Sequence, residues 1–116
     1  MANLSRANWE GAKLPRAQMV AAVLDHADFT KADLGKSILI TAGAREANFM
    51  KTNLQEANLT GINLFKGSLR KADLSRADLK LSNLYGVDFY KAKVFRTNLM
   101  EANLTRTLLT LRTENL

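Results

Sequence analysis

Residues 71–80 read KADLSRADLK, so the triplet Ala-Asp-Leu occurs twice, five residues apart. A period of five matches neither the 3.6-residue turn of an α-helix nor the two-residue alternation of a β-strand. On a helix, leucines at this spacing would spread around the axis, and on a continuous strand they would alternate between the two faces. A chain that turns a corner after every five residues can instead direct every Leu toward one common axis.

The five-residue period continues along nearly the whole chain in unbroken phase. Of the 23 positions whose number ends in 4 or 9, 21 are large and apolar; the exceptions are Ala44 and Glu114. The position two residues earlier holds 14 of the 16 alanines, and the position between them is Asn or Asp in 14 of 23 cases. Asn and Asp support tight turns through side-chain hydrogen bonds to the backbone. Each unit therefore reads small residue, turn former, large apolar residue and two variable residues.

A second period, of 20 residues, sets the number of sides in one coil. The aromatic residues at the large positions are Trp9, Phe29, Phe49 and Phe89, and Leu69 fills the missing place in this series. We therefore predict four five-residue sides per 20-residue coil, and between five and six coils in 116 residues. In such a stack, each interior backbone group can hydrogen-bond to the coil above or below.

The repeated A(D/N)LXX unit resembles the motif of the pentapeptide-repeat proteins, and the resemblance covers residues 2 to about 111. It implies an all-β fold: a right-handed quadrilateral parallel β-helix, which is a solenoid. We expect residues 1–116 to form a single domain, with repeats over residues 2–111 and a terminal cap or tail over residues 112–116. Ala44 follows Gly43 where a large residue belongs, which predicts a local bulge or cavity.

The composition argues against several classes of function. The chain has no Cys and one His, His26, so it offers no set of metal ligands. Carboxylate pairs such as Asp73 and Asp78 occupy the turn-forming position of the repeat, and the glycines form no phosphate-binding loop. We therefore expect no enzymatic activity, no cofactor and no small-molecule substrate. The absence of Cys fits a reducing compartment, so we expect a cytoplasmic protein. Charged residues interrupt every apolar stretch, so we expect no membrane span.

The positive charges are arranged in columns. The net charge is +6, and residues 59–116 carry 10 Lys/Arg against 5 Asp/Glu. Four lysines recur at intervals of 20, and a second column on the adjacent side includes two arginines. Such columns are typical of a polyanion-binding surface, although lysines also protect exposed sheets from aggregation. The candidate polyanion contacts are Lys31, Lys51, Lys71, Lys91, Arg76 and Arg96.

Outward-facing apolar residues form a second candidate surface. They fall on two neighbouring sides of the predicted coil, and an apolar strip of this kind is typical of a protein contact. Isolated exposed apolar residues are also common on monomeric proteins. The strip therefore indicates a protein partner or self-association, and a terminal coil is a second candidate surface for self-association. The candidate protein contacts are Val20, Ile38, Ile40, Phe65, Leu81, Tyr85 and Met100.

Three functions follow as hypotheses. Our leading interpretation is a non-enzymatic scaffold whose flat side faces bind another protein. The alternative is electrostatic binding of nucleic acid or another polyanion through the basic columns. The family resemblance implies a third: some pentapeptide-repeat proteins resemble B-form DNA in shape and charge, bind DNA gyrase and protect it from quinolones. That mimicry needs an acidic surface, and a net charge of +6 disfavours it.

Overall fold

The computed structural model describes residues 2–107, and these form a stack of coils held by parallel β-bridges. Each bridge joins a single residue to the residue 20 positions later, and 17 of them run in unbroken register from Asn3↔Val23 to Asn83↔Asn103. Every strand is thus one bridged residue long, and the described part of the chain contains no helix. The predicted all-β, 20-residue coil is confirmed. The cap or tail predicted for residues 112–116 lies outside the described residues.

Four sides follow one another around the axis of each coil. Side 1 is centred on Asn3, side 2 on Asn8, side 3 on Lys13 and side 4 on Gln18, and each recurs every 20 residues. Two-residue turns form the corners, which we name by the two sides that they join. In the first coil, corner 1–2 is residues 5–6, corner 2–3 is residues 10–11, corner 3–4 is residues 15–16 and corner 4–1 is residues 20–21.

The small and the large residue of each repeat fill the interior. From Ala22 to Phe89, all residues at these two positions are buried, because they flank the outward-facing bridged residue on both sides. The aromatic residues stack as the 20-residue period predicts. The rings of Trp9 and Phe29 have centroids 6.2 Å apart, and those of Phe29 and Phe49 are 4.9 Å apart and nearly parallel.

Backbone hydrogen bonds link each coil to both neighbours. Asp28 N donates to Ala7 O of the preceding coil (2.9 Å), and Phe29 N donates to Asn48 O of the following coil (2.7 Å). Within a coil, Ala32 N donates to Phe29 O (2.9 Å) and closes the turn between sides 2 and 3. The second turn residue has positive φ, the sign that a type II turn requires, in all 21 described turns.

The Asn and Asp residues support these turns, as predicted. All 14 Asn and Asp residues at the bridged positions accept a hydrogen bond on Oδ1 from the N–H two residues later, at 2.9–3.2 Å. Lys13 occupies a bridged position where most repeats have Asn or Asp. No side-chain acceptor is needed there, because the residue two places later is Pro15, which has no N–H. The carboxylates of Asp73 and Asp78 therefore have a structural role.

Of the bulge or cavity predicted at Gly43 and Ala44, the bulge is wrong, and the cavity remains a prediction. Gly43 bridges Val23 and Asn63 in normal register, and Ala44 is fully buried. Gly43 has no side chain that could accept a hydrogen bond from its turn. The carboxylate of Asp25, on the preceding coil, accepts that hydrogen bond instead. Asp25 Oδ1 accepts from Arg45 N, and Asp25 Oδ2 accepts from the Arg45 guanidinium, both at 3.0 Å.

Candidate functional site

Buried side chains at the small and large positions fill the interior from Ala22 to Phe89, so we look for candidate sites on the surface. The described residues contain no group of three His, Asp or Glu side chains that could hold a metal ion. Nor do they form a helix long and apolar enough to cross a membrane.

A shallow open groove of about 270 Å³ lies at corner 3–4, where Gly35 has no side chain to fill the space. His26 lies at corner 1–2, with Nδ1 3.3 Å from Glu46 Oε2 of the next coil.

The predicted polyanion contacts lie together around side 3. Lys31, Lys51, Lys71 and Lys91 form a column at corner 2–3, and Arg76 and Arg96 lie at corner 3–4. The two columns therefore lie at the two edges of one side, and not on two adjacent sides as predicted. Within residues 2–107, these corners together carry nine Lys/Arg residues against two Glu. The nine are Arg16, Lys31, Lys36, Lys51, Arg70, Lys71, Arg76, Lys91 and Arg96.

Most of these nine cations have no counter-charge nearby. Arg70 pairs with Asp88, with Nη1 3.0 Å from Oδ2. Within residues 2–107, the other eight have no carboxylate oxygen within 4.0 Å. Like charges on neighbouring coils repel by about 1 kcal/mol or less in water. The stack tolerates this repulsion, but the repulsion does not help to hold the stack together.

Two aromatic residues that the sequence analysis missed lie among these cations. Tyr90 at corner 2–3 and Phe95 at corner 3–4 flank the same segment of side 3. The guanidinium of Arg70 lies 4.5 Å from the centroid of the Tyr90 ring. Phe95 is 57% exposed, and the guanidinium groups of Arg76 and Arg96 lie 5.3 and 5.1 Å from its centroid. The sequence did contain a sign of this cluster: the dipeptides Tyr90-Lys91 and Phe95-Arg96 each place an aromatic residue next to a cation at the variable positions of consecutive repeats.

The predicted protein contacts divide between two corners. Val20, Ile40, Leu81 and Met100 lie along corner 4–1, with Ile38 beside them on side 4. Val20, Leu81 and Met100 are 55%, 57% and 66% exposed. Leu81 N donates to Met100 O (2.9 Å), so these two residues are neighbours on adjacent coils.

Phe65 and Tyr85 are not part of that corner. They lie at corner 1–2, where their rings stack with centroids 5.2 Å apart and an interplanar angle of 12°. Side 1 separates this pair from corner 4–1, so the single strip expected from the sequence is two apolar edges. The middle of side 1 carries no charge: its bridged residues are Asn3, Val23, Gly43, Asn63, Asn83 and Asn103.

Comparisons with known proteins identify the fold and the family. The family model for pentapeptide repeats matches residues 2–39, 44–65 and 67–99 in 8 copies. The crystal structure of the pentapeptide repeat protein Rfr23 from the cyanobacterium Cyanothece 51142 is 26% identical, with 90% of this chain and 89% of that chain covered and a TM-score of 0.76.

Two more distant solved structures share the fold. A pentapeptide repeat protein from the Arabidopsis thaliana thylakoid lumen is 21% identical over 84% of this chain and 65% of its own, with a TM-score of 0.68. HetL, from the cyanobacterium Nostoc sp. strain PCC 7120, is 21% identical over 90% and 75%, with a TM-score of 0.51. Among curated proteins, none matches the sequence significantly. The chain belongs to the pentapeptide repeat family, and its fold is the right-handed quadrilateral β-helix.

Proposed function

We propose that this protein is a non-enzymatic scaffold that binds a protein partner through side 1 and its two apolar edges. The observation that carries the proposal is the placement of Val20, Leu81 and Met100 on one corner; they are three of the four exposed large apolar residues within residues 2–107. Burying them against a partner would release their apolar surface from water. Protein interfaces are depleted in charge at their centre, and the centre of side 1 is uncharged.

Substitutions at corner 4–1 test this function. The double variant Leu81→Asp with Met100→Asp puts two carboxylates into the proposed interface without touching the core. The matched control is Phe95→Asp, because Phe95 is as exposed as Leu81 but lies at corner 3–4. We expect a protein captured from extracts of the source organism by the wild type and the control to be lost with the double variant. Equal capture by all three proteins would contradict the proposal, and light scattering would identify a second copy as the partner.

A second candidate function is the binding of nucleic acid or another polyanion at side 3. It is favoured by the eight cations at corners 2–3 and 3–4 that lack a carboxylate partner among residues 2–107. Cations that face phosphates release condensed counterions, which makes such binding fall steeply with added salt. The same distribution argues against mimicry of DNA, since a DNA mimic replaces phosphates with acidic groups.

Charge reversal tests the second function. Lys71→Glu with Lys91→Glu should abolish the mobility shift of duplex DNA at low salt. The control, Arg6→Glu with Arg106→Glu, changes the net charge equally but lies at corner 1–2, so it should retain most of the binding. If both pairs weaken binding equally, the effect is one of net charge and side 3 is not the site.

A further inference from the structure

We propose that the segment of side 3 between Tyr90 and Arg96 is a binding site for single-stranded nucleic acid, in which Tyr90 and Phe95 stack on bases. The proposal rests on the second candidate function and narrows its ligand. Tyr90 and Phe95 are five residues apart at the two corners of one side, so their backbones are separated by at most about 17 Å. Lys93 is the exposed bridged residue between them.

The charges around the two rings fit a phosphate backbone. Lys91, Lys93 and Arg96 belong to the same coil segment as the rings, and Arg70, Lys71 and Arg76 lie at the corners of the coil before it. Two carboxylates lie close by: Asp88 is paired with Arg70, and Asp73 accepts a hydrogen bond from Ser75 N at 3.0 Å. The segment therefore combines six cations with two aromatic rings, and the cations outnumber the acids.

The exposed ring of Phe95 favours a single strand of nucleic acid over other polyanions as the ligand. Phe95 is 57% exposed and gains little from burial, and its cation–π contacts with Arg76 and Arg96 contribute only modestly at an exposed site. In a duplex, neighbouring base pairs cover the faces of the bases, and an acidic peptide has no such faces. A single strand can place an unstacked base against an aromatic ring while its phosphates meet the cations. Rings interleaved with guanidinium groups therefore favour single-stranded DNA or RNA.

Fluorescence anisotropy with three labelled probes tests the proposal. The probes are an oligothymidylate of about 20 nucleotides, a duplex of the same length, and poly-glutamate, all at one low salt concentration. We expect the single strand to bind at least about tenfold more tightly than the duplex, and poly-glutamate to bind weakest. Phe95→Ser should weaken single-strand binding roughly 5- to 100-fold, the range for losing one stacked base, and leave duplex binding unchanged.

Matched variants separate stacking from loss of fold. Leu81→Ser removes an equally exposed apolar side chain at corner 4–1 and should leave all three affinities unchanged. Phe95→Trp keeps a stacking surface and should bind the single strand at least as tightly as the wild type. Thermal melting of each variant checks that the coils remain folded.

The outcomes distinguish this inference from the function on which it rests. If single strand and duplex bind equally and Phe95→Ser changes neither affinity, the stacking site is wrong while polyanion binding at side 3 stands. The same conclusion follows if poly-glutamate binds as tightly as the oligonucleotide, or if Phe95→Trp loses as much affinity as Phe95→Ser. If no probe binds, or if Lys71→Glu with Lys91→Glu has no effect, both proposals fall.

Discussion

At the scale of single residues, Asp25 shows how one coil compensates for a departure in the next. Gly43 cannot accept the hydrogen bond that Asn or Asp accepts elsewhere, and Asp25 accepts it from Arg45 N instead. Partial burial alone would raise the pKa of Asp25. Hydrogen bonds from the side chain and backbone of Arg45, with the charges of Arg45 and His26, outweigh burial and lower that pKa below its ordinary value. The ionised carboxylate is therefore the form that the fold stabilises.

Removing this carboxylate should destabilise the stack. Asp25→Ala loses a charge-assisted bond to the Arg45 side chain and leaves Arg45 N without its acceptor, so we expect a loss of about 1–3 kcal/mol in the free energy of unfolding. Asp25→Asn keeps an amide oxygen for Arg45 N and should lose less. Urea unfolding at neutral pH measures both values. Equal stability of Asp25→Ala and the wild type would contradict this role.

The stabilities of the wild type and Asp25→Asn should respond differently to acid. Because the folded-state pKa of Asp25 is lowered, its contribution is fully present above the unfolded-state pKa near 3.8 and is lost as the pH falls through the folded value. The stability advantage of the wild type over Asp25→Asn should therefore shrink as the pH falls from about 5 through the lowered folded-state pKa. Unfolding curves that stay equally far apart across this range would show that the charge of Asp25 has no part in stability.

A third prediction at this scale concerns the size limit of the small position at Gly67. A Cβ added to Gly67 would lie 2.5 Å from Leu64 Cδ1 and 2.8 Å from Ala47 O. Gly67→Ala should therefore cost about 1–3 kcal/mol of stability, as overpacking does in other cores. Gly43→Ala is the control, because its Cβ would meet no atom closer than Asp25 Oδ1 at 3.7 Å. A neutral Gly67→Ala would contradict this size limit, because both the Leu64 side chain and the Ala47 carbonyl would have to move without cost.

At the scale of the side and its turn, local sequence predicted much of the structure. The five-residue count and the Asn/Asp preference act within one repeat, so they could be recognised from the sequence, and all 14 Asn/Asp residues support turns as expected. The backbone of the turns could not be recognised in this way. Eighteen non-glycine residues, including the β-branched Thr41, hold φ between 54° and 62°. Hydrogen bonds to the neighbouring coils impose this conformation, and local propensity would favour Gly or Asn there.

Restoring a missing turn acceptor should strengthen a side. Ile38 occupies a bridged position without a side-chain acceptor, whereas Asn58 on the next coil accepts from Thr60 N at 3.1 Å. Ile38→Asn offers the same oxygen to Ile40 N, so we expect a gain of roughly 0.5–1.5 kcal/mol. Ile38→Ala removes the apolar side chain without adding an acceptor and controls for that loss. Thermal or urea unfolding of the two variants measures the difference, and Ile38→Asn no more stable than Ile38→Ala would refute the prediction.

At the scale of the whole molecule, the 20-residue period predicted which outward residues share a column but not how the columns group into surfaces. Lys31 and Arg76 were assigned to separate sides because corner residues border two sides at once. For the same reason, Phe65 was joined to Leu81 although side 1 separates them. The 20-residue period could not predict Phe95 as part of a surface, because no other residue in its column is aromatic and a single residue gives no periodic signal.

The central claim is that residues 20 apart in sequence lie on neighbouring coils while residues 10 apart lie at opposite corners. The chain has no native cysteine, so nitroxide labels can be placed at Lys51→Cys with Lys71→Cys and, in a second protein, at Lys71→Cys with Leu81→Cys. Adjacent coils are about 5 Å apart, whereas the two shorter extents of the molecule are 21 and 18 Å. Frozen-solution EPR should show strong dipolar broadening for the first pair and little for the second. Broadening that is equal in the two pairs, or stronger for residues 71 and 81, would contradict the four-sided coil.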